Sequence, residues 1–248
     1  MLPASHRARE RGTGARRRDP AGLAARVPFA PMRLLMLRHA ESRSNAHPEA
    51  VALPEVEGDR LTRRGWEQAR AAARSLRDAK PARLISSPMR RARETAGVLS
   101  EELGLPVEVS ESIHELYESD EYLALPPEEQ KLRRWSVWMA EHGHDPDWAP
   151  PGGESFNAVR TRVRRFKAKM EGGDPSAEVL AVSHGIFLRF FLVDSLLEDR
   201  FGAHDVGRLW RLRTINCGLS VFEHDERHHH ADPKIEGWVC ATWMSPLA

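Results

Sequence analysis

The 248-residue chain contains two cysteines and two tyrosines, its aromatic residues reach only 7%, and neither charge is in excess, with 37 Lys and Arg against 36 Asp and Glu. Each scarcity removes a class. Cys217 and Cys240 form no CxxC pair, so neither a disulfide framework nor a zinc ribbon is indicated, and two reduced thiols are expected. No apolar run approaches the roughly 18 residues that span a bilayer. The best stretch, Ile186 to Leu197, is interrupted by Arg189 and Asp194. A secretory signal is not expected either, because Val27 to Leu37 is broken by Pro28, Pro31 and Arg33. These absences point to a soluble cytoplasmic protein with no membrane partner.

The net charge of +1 hides an asymmetry. Residues 1–31 carry seven arginines against Glu10 and Asp19, a local charge of +5 that leaves −4 for the remainder. This prefix has no apolar periodicity and is expected to be disordered, since it has little surface to bury against its ordering entropy. It is Arg-rich and acid-poor, as transit peptides are, but Ser is scarce, and Met32 directly before the first strand offers a simpler functional start. No aromatic interleaving or binding motif accompanies the arginines, and the acidic body makes a poor nucleic-acid surface, so no nucleic-acid partner is expected.

From Met32 onward, short apolar runs alternate with amphipathic stretches. Met32–Leu37, Ala82–Ser86, Pro106–Ser110 and Glu178–Ser183 read as strands. Thr62–Lys80 reads as a helix with apolar positions Trp66, Ala69, Ala73 and Leu76, and Ser155–Met170 and Ile186–Leu197 as further helices. Ser87-Pro88 has the form of an N-cap followed by proline at the first helical position, opening a helix to about Leu103. A helix rich in charge and Trp is expected from Pro127 to about His142, and closing strands at Leu219–Glu223 and Gly237–Trp243 flank a His-rich turn. Strands separated by helices indicate a three-layer α/β/α fold with a mostly parallel central sheet.

Chemistry-bearing residues gather at the strand ends. The first strand runs into Arg38-His39, and Glu178–Ser183 runs into His184-Gly185 at a helix start, where an anion is readily bound. Taken singly, each histidine reads as an incidental polar group; together they face one crevice. Ser86 to Thr95 delivers arginines at a third strand end, and Arg91 with Arg38 has the chemistry to neutralise a phosphoryl dianion. Arginines in a first helical turn are also commonly solvated surface groups.

At this point the motifs carry a resemblance. Leu37-Arg38-His39-Ala40-Glu41-Ser42-Arg43-Ser44-Asn45 is similar to the LRHGExxxN signature of the histidine phosphatase superfamily, which includes the cofactor-dependent phosphoglycerate mutases. Asp59 to Ala69 resembles the LTxxGxxQA segment, and Ser87 to Ala96 resembles SPLxRAxxTA. Gly152 to Ser155 with Arg162-Val163 resembles GGES with a later RV, Ser183-His184-Gly185 resembles SHG, and Asn216 precedes the closing strands. The six segments fall in order across nearly everything after Met32.

The resemblance implies a phosphoglycerate mutase-like fold, with residues 32–248 as the catalytic domain and an insertion at about 119–151 over the pocket. It implies His39 as nucleophile, with Arg38, Arg91 and His184 gathering phosphoryl oxygens and Asn45, Ser42 and the Gly185 amide assisting. Glu115 fits the acid/base best, although the glycine and tryptophan frequent after that Glu are absent and Glu118 and Glu121 lie close by. Ala40 stands in place of the common glycine, which argues that this position needs no positive φ. The mechanism calls for no metal and no cofactor.

Tyr122, Trp135, Trp138 and Trp148 could line an apolar substrate wall, but aromatics at helical spacing commonly pack inward. His224, His228, His229 and His230 read as a solvated turn rather than a metal site. Three functions stay open: a phosphomonoesterase, a mutase that returns the phosphoryl group to its substrate, and a non-catalytic phosphate-binding or scaffold protein. The segment Ala46 to Gly58 lacks the Gly-Trp pair of the mutase substrate loop, which favours the phosphatase. A phosphorylated small molecule is the expected partner, a phosphoprotein remains open, and the oligomeric state is not legible.

Overall fold

The computed structural model describes residues 32–47, 59–117, 124–126, 128–129, 141–142, 144–150, 152–174, 176–224 and 237–247. Six strands form one sheet: β1 (Met32–Arg38), β2 (Arg83–Ser86), β3 (Val107–Val109), β4 (Glu178–Ser183), β5 (Gly218–His224) and β6 (Trp238–Pro246), in the order β3-β2-β4-β1-β5-β6. The first four are mutually parallel, and β5 and β6 close the sheet antiparallel. Among the described residues no helix is long and apolar enough to cross a membrane.

The unbroken apolar run of β1 follows from its burial on both faces. Leu34 and Met36 pack on one side against α4 (Phe156–Glu171) and α5 (Gly185–Leu197), among Phe156, Phe166, Phe187, Phe190 and Phe191. Leu35 and Leu37 point to the other side, against the alanine-rich faces of α2 (Arg63–Ser75) and α3 (Arg90–Leu103), built by Ala69, Ala72, Ala73, Ala92 and Ala96. The side-chain alternation of a strand thus makes the three layers. Two short helices, α1 (Arg43–Ala46) and α6 (Val206–Leu209), lie between the larger elements.

The apolar helix α5 is interrupted by Asp194 because that carboxylate is a clamp. It is 3% exposed and takes Lys167 Nζ at 2.8 Å, Arg164 Nε at 3.0 Å and Arg160 Nε at 3.2 Å, all from α4. Three cations satisfy a carboxylate that would otherwise be costly to bury.

One expectation is corrected. Helix α3 starts at Arg90 with Met89 at its N-cap, so Ser87 is not the cap and Pro88 is not the first helical residue. The Ser87 hydroxyl is instead engaged by His184 at 2.7 Å and by the Met89 amide at 3.3 Å. Thr62 and Ser155, where helices were expected to start, are the N-caps of α2 and α4, accepting from Gly65 N and Ala158 N. The expected extension 1–31, the helix from Pro127 to His142 save its few described positions, and Tyr122, Trp135, Trp138, His228, His229 and His230 lie outside the described residues. Trp148 packs against the core and stacks on His142 with ring centroids 3.9 Å apart.

Helix α2 buttresses the loop after β1. Thr62 N donates to Glu41 O at 3.0 Å, and Gly65 sits so close that a Cβ there would stand 2.0 Å from Glu41 O. Gly65→Ala therefore should cost about 1–3 kcal/mol, as overpacking does. The urea midpoint should fall with the slope unchanged. An unaltered midpoint would show that α2 does not hold this loop.

Candidate active site

Parallel pairing of β1 with β4 sets Arg38 opposite Ser183. The next residue on each strand is a histidine, so the two rings must lie about one strand spacing apart, roughly 4.8 Å. The His39 and His184 ring centroids are 5.0 Å apart, and both side chains are buried. Because β4 is inserted between β1 and β2, the histidines stand where the strand order reverses, which is where open α/β sheets bind ligands.

Hydrogen bonds assign the state of His39. Its Nδ1–H donates to Ala40 O at 2.8 Å, and its Nε2 accepts from Arg91 Nε at 3.2 Å. Nε2 therefore carries a lone pair. Burial, then the charges of Arg91 and Arg38, hold the imidazolium well below the usual histidine range. His184 is likewise kept neutral, by burial first and then by Arg91 and His39. Met89 N can only donate to Ser87 Oγ, so of the two groups bonded to that hydroxyl only His184 Nε2 can accept its proton, and this assignment leaves His184 Nδ1–H as a donor. No protein group among the described residues accepts that bond.

Arg91 is 5% exposed and is steered by Asp59, whose Oδ2 lies 3.3 Å from Nη1. Asp59 is itself fixed by Ser44 N at 2.9 Å and Ser44 Oγ at 2.6 Å. Thr95 Oγ1 joins the helix to the nucleophile loop, accepting from Ala40 N and donating to Arg91 O. Arg38 donates from Nη1 to Thr214 O at 3.2 Å, while its buried Nε has no partner among the described residues. Burial lowers the Arg38 pKa most, and Arg189 and Arg91 repel its charge while Glu115 favours it. Buried donors beside a lone-pair imidazole are the chemistry of an anion-binding site.

Glu115 docks on the amino end of α5. Its carboxylate accepts from Ile186 N at 3.0 Å and from Phe187 N at 3.3 Å. Gly185, the first residue of that helix, keeps the approach open. A Cβ there would meet Thr214 Oγ1 at 3.1 Å, Arg189 Nη1 at 3.4 Å and Arg38 Nε at 3.6 Å. Asn45 reaches the site through Asn216, whose Nδ2 donates to Asn45 Oδ1 at 2.8 Å and to His39 O at 3.0 Å. Ser42 is fully buried at the N-cap of α1 and shares a hydrogen bond with Ser44 Oγ, so the structure gives it a place in the loop scaffold.

Ala40 is absent from the residues with positive φ, as its side chain suggested, whereas Cys217 adopts φ 52° where its amide binds Arg38 O. Burial pushes the Cys217 thiol up to about 12, so it stays protonated beside the arginine. Residues that the sequence reading does not assign to the site support it: Asp59 behind Arg91, Ser87 behind His184, and Arg189, whose guanidinium lies 4.8 Å from the Trp210 ring centroid. Asp59 and Ser87 stood inside the quoted motifs, but nothing local announced their partners. In the sequence Arg189 is legible only as a break in an apolar run.

The sequence matches the model of the histidine phosphatase superfamily, branch 1, over residues 34–234. A bifunctional protein of Mycobacterium tuberculosis is 34% identical over 203 residues, which cover 78% of this chain and 50% of that protein. This chain thus spans about half the length of that curated relative. A probable phosphoglycerate mutase of an Enterobacter species is 27% identical over 221 residues, covering 88% of this chain and 92% of the other. Among solved structures, a mycobacterial glucosyl-3-phosphoglycerate phosphatase superposes with a TM-score of 0.66 at 27% identity, over 86% of this chain and 99% of that one. The alpha-ribazole phosphatase from Shigella flexneri shares the fold, with a TM-score of 0.67 at 24% identity over 87% and 97% of the two chains. A match over that much of the sequence, on a chain whose paired histidines occupy the switch point of the sheet, shows that it belongs to the histidine phosphatase superfamily, branch 1.

Proposed function

We propose that this chain is a metal-independent phosphomonoester hydrolase of the histidine acid phosphatase type, working through a phosphohistidine on His39. The observation that carries this reading is the neutral, buried His39 whose Nε2 lone pair faces Arg91, beside Arg38 Nε and His184 Nδ1, which have no partner among the described residues. In the first step the lone pair attacks phosphorus while the bond to the leaving oxygen breaks, and Glu115 delivers the proton that oxygen needs. Arg38, Arg91 and His184 Nδ1–H hold the non-bridging oxygens, with Asn45 and the Gly185 amide assisting. Fixed donors at developing charge are usually the largest catalytic contribution. In the second step water attacks phosphorus, the P–N bond breaks, and Glu115 takes up the water proton. No metal or cofactor enters either step.

The catalytic domain in this reading is 32–248, with the basic prefix 1–31 outside it and an insertion at about 119–151. The protein is proposed to be cytoplasmic and to act on a phosphorylated small molecule. A mutase is the second reading, supported by the relative named as one. The segment between Ala46 and Gly58, without a Gly-Trp pair, weighs toward hydrolysis.

His39→Ala should cut p-nitrophenyl phosphate turnover by at least about 10³-fold in EDTA-treated protein. Turnover that persists in the variant, or that requires added metal, sinks the phosphohistidine reading. Interconversion of 2- and 3-phosphoglycerate faster than phosphate release would establish the mutase instead. Glu115→Gln should slow alkyl phosphates by about 10²–10⁴-fold and p-nitrophenyl phosphate far less, because that leaving group needs little proton help. Equal losses would move the acid role elsewhere.

The neutral histidines also make stability depend on pH. Unfolded, both protonate near the ordinary value of about 6.5; folded, both stay neutral until well below it. Protons are therefore taken up on unfolding, so stability is held above about pH 6.5 and lost below it, at about 1.4 kcal/mol per pH unit for each histidine. Urea midpoints at pH 7.5 and 5.5 check this, and His184→Gln should flatten the difference. A wild-type midpoint that does not fall would mean that the histidines are charged in the fold.

A further inference from the structure

The chain between β3 and the helix that begins at Phe156 brings Glu115 to the site without regular structure from His114 to Tyr117, so its carbonyl groups need partners from elsewhere. Four successive carbonyls find side chains. Ser112 O and His114 O both accept from Arg162 Nη1, at 3.4 and 2.7 Å, Ile113 O accepts from Ser183 Oγ at 2.8 Å, and Glu115 O bonds His114 Nδ1. Arg162, on α4 and 6% exposed, is the one residue that serves two of them.

Glu154 holds Arg162 in a fork, with Nε to Oε1 at 2.8 Å and Nη2 to Oε2 at 3.1 Å. The same Glu154 Oε2 accepts from Tyr117 N at 3.4 Å. The pair therefore grips the chain on both sides of Glu115, at His114 and at Tyr117. The guanidinium also lies 5.4 Å from the Phe187 ring centroid, and the Phe187 amide is one that Glu115 binds. A buried ion pair is weak evidence for stabilisation in itself, because apolar side chains of similar volume often do as well. A planar fork that fixes two carbonyls and a carboxylate at once has a directional use that a lysine lacks.

We infer that Arg162, oriented by Glu154, is a positioning residue for the general acid. It sets where the Glu115 carboxyl stands over the phosphoryl site while touching neither substrate nor reacting atoms. This inference rests on the proposed role of Glu115. Small misplacements of a reacting group are costly, on the order of 10²-fold per ångström.

The test compares an alkyl phosphate with p-nitrophenyl phosphate in Arg162→Met, Arg162→Lys and Glu115→Gln. Arg162→Met should lower kcat for the alkyl phosphate by about 10–100-fold, with KM and p-nitrophenyl phosphate turnover changed by less than about threefold. Arg162→Lys, which restores charge without the fork, should remain close to Arg162→Met. In a Glu115→Gln background, Arg162→Met should add little, because both act through one carboxyl. Equal losses on the two substrates in a folded variant, full rescue by lysine, or losses that multiply with Glu115→Gln would overturn the inference. If Arg162→Met fails to fold, the combined Glu154→Gln and Arg162→Gln variant removes both charges and is read on the same two substrates. An inactive wild type, or a Glu115→Gln variant indifferent to the leaving group, would instead overturn the underlying phosphatase reading.

Discussion

Pairing of Arg38 with Ser183 across the parallel β1 and β4 strands is the constraint on which the site depends. Each strand ends one residue before a histidine, so the register alone brings His39 and His184 together. A slip by one residue would turn every side chain of β4 to the other face of the sheet and remove His184 from the crevice. The register is protected by burial on both faces, since Leu34 and Met36 serve one core and Leu35 and Leu37 the other. The chain then enters α5 directly after His184, so the same pairing also delivers the helix amides that receive Glu115.

That placement concentrates positive charge where little water remains. Arg38 and Arg91 repel one another and both oppose protonation of the two histidines. Asp59 offsets Arg91 at 3.3 Å, and Glu115 favours the charge of Arg38. Neutral histidines limit the rest of the repulsion. What the described residues leave unmet is acceptor capacity, at Arg38 Nε and His184 Nδ1. On the proposed reading a phosphoryl group supplies acceptors and negative charge together, so a mildly acidic body can hold a cationic pocket without compensating it fully.

The parts of this arrangement differ in how plainly the sequence carries them. Strand β4 and the starts of α2 and α4 beside Thr62 and Ser155 depend on neighbouring residues and emerge within one residue of their expected places. Arg38, His39 and His184 are legible because strand-end positions in this architecture share one crevice whatever the loops do. Ser87 shows the opposite case. Its local pattern is that of a cap, but the better partner is His184, ninety-seven positions away, and tertiary demand overrides the local preference. Asp59 behind Arg91 and Glu154 behind Arg162 share that character: each is a carboxylate whose meaning lies in an arginine on another element. The aromatic wall expected from Tyr122, Trp135 and Trp138 lies beyond the described residues, so substrate choice is the least legible property of the chain.

The irregular path to Glu115 need not be loose, because its attachments form a closed circuit. Glu115 binds the first amides of α5, and α5 is tied through buried Asp194 to Lys167, Arg164 and Arg160 of α4. Helix α4 carries Arg162, and Arg162 returns to His114, the residue before Glu115. Each link is a charged or charge-assisted contact, and three of the residues involved, Asp194, Lys167 and Arg162, are almost fully buried, which makes the links stronger than solvated equivalents. Displacing the Glu115 carboxyl then requires breaking one of these links or moving two packed helices against the phenylalanine core. In the acid/base role proposed for Glu115, a group that must meet a leaving oxygen within a fraction of an ångström can thus reside on a loop, provided that rigid elements on both sides hold it.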